Sequence, residues 1–146
     1  MKRITILLIT IIMSASCSNQ AKKSESATST TNTPENVVEV IYFHAKQRCK
    51  TCIAIEQETK QLIDSAFSDK MAEKEIVFKV IDLSDEANEA LSEKYRVTFS
   101  TLLVIDINNS NENVNDLTQF AFANARNNPD VFKSELRQII TEALTN

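Results

Sequence analysis

The sequence is most informative first for what it lacks: it has no glycine and no tryptophan, a single histidine (His44) and three cysteines. Without glycine, every turn that needs a positive φ is expected to use Asn or Asp, the next most tolerant residues. The Asn-rich stretches 108–115 and 124–128 fit that demand. No basic excess is present: the formal charge is −4, which argues against a nucleic-acid partner. There is no second CxxC and no further His, so a closed tetrahedral structural zinc site within one chain is not expected. The N-terminal apolar run is too short to span a bilayer, which takes about 20 residues. What remains is an ordinary globular composition, 42% hydrophobic and 25% charged, with enough length for one small domain and its core.

The first sixteen residues read as a secretory signal peptide rather than as part of the fold. Lys2 and Arg3 are followed by the apolar run Ile4 to Met13, broken only by Thr5 and Thr10, and then by the small residues Ser14, Ala15 and Ser16. The alternative is a short anchor that is never cleaved. Ser14-Ala15-Ser16-Cys17 resembles a bacterial lipobox, although Ser14 stands where that motif usually has Leu. The resemblance implies lipidation of Cys17, a new N-terminus there, and a place in the bacterial cell envelope with the domain outside the cytoplasm. Lipidation also accounts for the odd cysteine and leaves a matched pair. Loss of Lys2 and Arg3 takes the mature chain from −4 to −6.

Residues 17–36 then form the lipidated Cys and a flexible linker. Ser18 to Asn36 holds no aromatic residue and no Leu, Ile or Val, so it cannot bury enough apolar surface to offset its ordering entropy. The domain occupies 37–146. Val37 to His44 reads as a buried strand and Ile76 to Ile81 as a second. Between them, Cys52, Ile55, Thr59, Leu62, Ile63 and Ala66 recur at helical spacing, which predicts a helix over Cys49 to Phe67. Ser84 is the expected N-cap of a further helix, with Asp85 and Glu86 in its first turn and Ala87, Ala90, Leu91 and Tyr95 as its apolar stripe. Thr101 to Ile107 is a third strand, the Asn-rich stretch after it a hairpin loop, and a fourth strand is expected between Asp116 and Ala123. Asn128 caps a last helix, with Pro129 at its first position and Phe132, Leu136, Ile139, Ile140, Ala143 and Leu144 on its inner face. The expected fold class is α/β: a mixed four-stranded sheet in the order β-α-β-α-β-β-α, flanked by helices, with parallel pairing across the helical crossover and antiparallel pairing across the short loop.

Cys49-Lys50-Thr51-Cys52 is the sharpest chemical feature. A helix that starts at this pair points its unpaired first-turn N–H groups and its dipole at Cys49, favouring the thiolate. Lys46, Arg48 and Lys50 add positive charge around it. Cys52 lies one turn inward, within reach to close a disulfide, so Cys49 is the expected attacking thiol and Cys52 the resolving one. Two other readings stay open: a metal site, for which two thiolates suit Cu(I) and His44 could add a ligand for Zn(II), and a permanent structural disulfide.

Ile41-Tyr42-Phe43-His44-Ala45 with the CKTC motif resembles the first strand and active-site loop of thioredoxins. Tyr95 to Val104 resembles the segment that enters their third strand, and the likeness extends over about residues 37–144. It implies a thioredoxin-like fold, a thiol–disulfide role for Cys49 and Cys52, and a protein thiol or disulfide as partner. Three departures stand out. Ser100, followed by Thr101, occupies the place of the usual cis-Pro, and trans geometry is expected because a non-proline cis bond costs about 3–4 kcal/mol. Tyr42 stands near the place of the buried acid that helps move the resolving proton, and Arg48 replaces the usual Trp before the first Cys. His44 suits proton transfer to a leaving thiol, or equally a strand end satisfied by backbone. The leading functional expectation is an exported, lipid-anchored thiol–disulfide oxidoreductase with no cofactor. The alternatives are a metal-binding module and a non-catalytic interaction domain on the same fold.

Overall fold

A computed structural model describes residues 36–109 and 111–146. The signal peptide, Cys17 and the linker up to residue 35 lie outside the described residues. The centre of the domain is strand β1 (Asn36–His44), whose near-continuous apolar run reflects burial on both faces. It pairs in parallel with β2 (Ile76–Asp82) and antiparallel with β3 (Thr101–Asn108), which in turn pairs antiparallel with β4 (Asn111–Asp116). The sheet order is β2-β1-β3-β4.

Alternation along β1 divides the core in two. Val38, Val40 and Tyr42 face one side and pack with Leu102 and Val104 beneath helices α1 (Lys50–Ala66), α4 (Thr118–Asn124) and α5 (Pro129–Ala143). Ile41 and Phe43 face the other side and pack with Val97, Leu103 and Ile105, covered in part by Leu91 and Tyr95. Because the period is two, a one-residue slip of β1 would exchange the two sets, so the register is firmly specified. Helix α1 contributes Cys52, Ile55, Thr59, Leu62 and Ile63, and α5 contributes Phe132, Leu136, Ile140 and Ala143, each at helical spacing. A parallel β1–α1–β2 unit followed by a β3–β4 hairpin and a closing helix is the thioredoxin-like arrangement of the α/β class.

Several expectations are corrected. The Asn-rich stretch is mostly strand rather than loop: Asn108 pairs with Asn111, and β4 follows at once. Its residues are poor strand formers, so pairing with β3 decides the matter over propensity. The segment expected as a strand between Asp116 and Ala123 is instead helix α4. Leu117, Ala121 and Ala125 are buried at a spacing of four, the helical one. The Thr118 hydroxyl caps the β3 backbone by accepting from Leu102 N–H at 3.1 Å.

Ser84 is not a cap either. Its N–H and hydroxyl both donate to Asp82 Oδ1 at 2.8 Å. Asp85 caps a short 3-10 turn over Glu86–Asn88, and the six-residue helix α3 (Glu89–Lys94) continues from it. An element this short presents no full stripe: Ala87 and Ala90 are exposed, while Leu91 and Tyr95 are half-buried. Lastly, positive φ is not confined to Asn or Asp. It occurs at Asn109 (47°), as expected, but also at Lys74 (62°) and Arg96 (53°).

Candidate active site

The site grows from the end of β1. After His44 the chain leaves the sheet through residues 45–48, and Cys49 becomes the N-cap of α1 in an extended conformation (φ −76°, ψ 164°). Its carbonyl receives the N–H of Ile53 at 3.0 Å, while its sulfur accepts the N–H of Cys52 at 3.0 Å. A sulfur thus fills the capping role that Ser or Asp commonly fills. Cys49 and Cys52 are joined as a disulfide, with Cα atoms 5.0 Å apart. The two are unequal. Cys49 is exposed, whereas Cys52 is 6% exposed and lies among the buried positions of α1. A partner reaching for sulfur therefore meets Cys49 first.

Beneath the pair lies Tyr42, fully buried, whose hydroxyl donates to the Cys52 carbonyl at 2.9 Å. Burial pushes the phenol up from its ordinary range, with the Arg48 guanidinium partly opposing that rise. Arg48 lies over the Tyr42 ring, 5.8 Å from its centroid. It forms an ion pair with Glu56 and reaches the Cys52 carbonyl at 3.5 Å. The expected trio of cations around Cys49 is corrected on this point: the Arg48 charge is neutralised by Glu56, leaving Lys46 and Lys50 as the exposed cations of the loop.

Ser100 is buried beside the same loop, its hydroxyl accepting from Ala45 N–H at 3.4 Å. The bond before it is trans, as every peptide bond is among the described residues. Phe99, just before it, is 63% exposed. Thr101 stands opposite Phe43 in the register, and its hydroxyl donates to the Phe99 carbonyl at 2.9 Å.

His44 ends β1 opposite Asp82, with Nδ1 3.1 Å from the Ala45 carbonyl. The neighbouring Asp82 carboxyl is held below its ordinary range, first by the Ser84 N–H and hydroxyl and then by the nearby His44 and Lys46. Among the described residues no group of three or more His, Cys, Asp or Glu gathers as metal ligands, so His44 does not join the two sulfurs in a ligand set.

The structure thus brings together Cys49, Cys52, Arg48, Ser100 and Tyr42 from the sequence reading and adds Glu56. Glu56 lies four residues after Cys52 on the helix, a spacing that places both on one face. That spacing was the available signal for it.

No family model matches the chain, and no curated protein matches it. Among solved structures, one described as that of a malarial protein aligns with 60% of this chain and 93% of its own, at 23% identity and TM-score 0.39. The solution structure of a thioredoxin from Thermus thermophilus aligns with 73% of this chain and 76% of its own, at 16% identity and TM-score 0.45. By its strand order and crossover the chain has a thioredoxin-like α/β fold, with a cysteine pair at the start of its first helix.

Proposed function

We propose that this protein is a thiol–disulfide oxidoreductase that works through Cys49 and Cys52. The observation that carries the reading is the asymmetry of the pair: an exposed sulfur at a helix N-cap, joined to a buried one a single turn inward. The exposed Cys49 forms the mixed disulfide with a partner protein or small thiol. The amide N–H of Cys52 and the helix dipole stabilise its thiolate. Cys52, shielded from solvent, resolves that intermediate.

Further features favour a protein partner. Ser100 gives the loop beside the sulfurs a hydroxyl, and Phe99 next to it offers an exposed aromatic surface. The N-terminal pattern ending at Cys17 supports export and a lipid tether, with the domain outside the cytoplasm. No helix among the described residues is long and apolar enough to cross a membrane.

Two experiments test this. Titration against glutathione buffers should reveal a reversible two-electron couple between about −270 and −120 mV, and no couple in that range would reject the redox reading. A Cys52→Ser variant should accumulate a mixed disulfide through Cys49 with its partner, and a Cys49→Ser variant should not. The tether is tested separately: radiolabelled palmitate should enter the wild type and not Cys17→Ser.

A further inference from the structure

We infer that Glu56 is the group that takes the proton from Cys52 when the disulfide closes, an assignment that rests on the thiol–disulfide reading above. When the pair is reduced and Cys49 is bound to a partner, Cys52 must lose its proton before it can attack. Burial opposes that loss, because it disfavours the charged thiolate. The helix N-terminus does not remove the difficulty, since the N–H of Cys52 points at the Cys49 sulfur.

Strand β1 supplies no acceptor beneath the pair. Tyr42 stands there, its phenol raised by burial and its proton committed to the Cys52 carbonyl. The carboxylate tied to this spot is Glu56, one helical turn after Cys52 on α1. Side chains on a helix lean toward its N-terminus, so Glu56 covers the turn that carries Cys52. Arg48 fixes it there, binding Glu56 with the same terminal nitrogen that reaches the Cys52 carbonyl. Arg48 holds Oε2, and no donor among the described residues holds Oε1. Glu56 is also half-buried, so it can pass a proton on to water.

The partner's disulfide has already been opened by the Cys49 thiolate, giving a mixed disulfide and one partner thiol. The Cys52 proton moves to the Glu56 carboxylate, directly or through one water. The Cys52 thiolate attacks the Cys49 sulfur, the bond between Cys49 and the partner breaks, and the partner's second sulfur leaves as a thiolate that is protonated by solvent. Two electrons have passed from the Cys49/Cys52 dithiol to the partner. Glu56 then returns its proton to water.

The test is stopped-flow reaction of the reduced, full-length protein with dithionitrobenzoate in a Cys17→Ser background, where Cys49 and Cys52 are the only thiols; wild type here means Glu56 in that background. Cys49 releases a first thionitrobenzoate in a bimolecular step, and Cys52 releases a second in a unimolecular one. In the wild type the second step should be flat with pH around neutrality. In Glu56→Gln it should be at least tenfold slower at pH 7 and rise about tenfold per pH unit, with the first step unchanged. Glu56→Asp, which keeps the carboxylate, should recover part of the rate.

An effect of charge alone predicts the opposite sign, because removing a negative charge beside Cys52 eases its ionisation. A second step that is unchanged or faster in Glu56→Gln therefore overturns the assignment. So does a wild-type second step that climbs tenfold per pH unit through neutrality, a measurement that needs no variant. Release of only one thionitrobenzoate by the wild type would instead overturn the redox reading itself.

Discussion

At the residue scale, Tyr42 supports the cysteine-bearing turn from below. Its hydroxyl is buried, donates to a carbonyl in the first turn of α1, and lies under a guanidinium. Phe in its place would leave the Cys52 carbonyl one donor short, at a cost of about 1 kcal/mol. The comparison has a pH signature. Burial raises the folded-state phenol pKa, so the folded chain holds this proton more tightly than the unfolded chain, whose phenol titrates near 10. The contribution of Tyr42 to stability is complete below that value and declines as pH rises through and above it. The difference in urea midpoint between wild type and Tyr42→Phe should hold steady from pH 7 to about 9 and shrink by about pH 11. A constant difference would show that Tyr42 ionises as readily folded as unfolded.

At the scale of elements, the positive-φ residues give a direct test. Lys74 adopts φ 62° between helix α2 (Ser68–Ala72) and β2, and its side chain is exposed. A non-glycine residue in this region carries about 1–2 kcal/mol of strain. Glycine would relieve it while adding about 0.5–1 kcal/mol of unfolded-state freedom. Lys74→Gly is therefore expected to stabilise by up to about 1 kcal/mol, read as a higher urea midpoint at unchanged slope.

The same scale explains what the sequence could and could not reveal. β1, α1, β3 and α5 were legible because their burial imposes a clear period or a continuous apolar run on the residues. β4 was not, because an edge strand exposed on most of its residues selects no apolar alternation, and its Asn residues mimic a loop. α4 was not, because Leu117, Phe120 and Phe122 suggest a strand, while the buried set includes the small Ala121 and Ala125. Of the site, the cysteine pair was visible as a motif. The contacts of Tyr42, Arg48 and Glu56 were not, since they depend on how the loop at 45–48 folds back over α1.

At the scale of the molecule, one sheet separates two unequal cores. The larger one, beneath α1, α4 and α5, carries Leu136 fully buried at its centre. Leu136→Ala should cost about 2–5 kcal/mol, seen as a lower thermal midpoint, with a single transition because all three helices share that core. Reduced and oxidised protein should both show the loss, since Leu136 lies on α5 and the sulfurs on the first turn of α1.

The direction of β1 has a mechanical corollary. The strand runs nine residues from Asn36 to His44, a length of about 30 Å, and Cys49 and Cys52 follow its far end. Asn36 and the Cys49–Cys52 turn thus stand at the two ends of the central strand, so a spectroscopic label on Asn36 would report on the sheet and leave the sulfurs untouched.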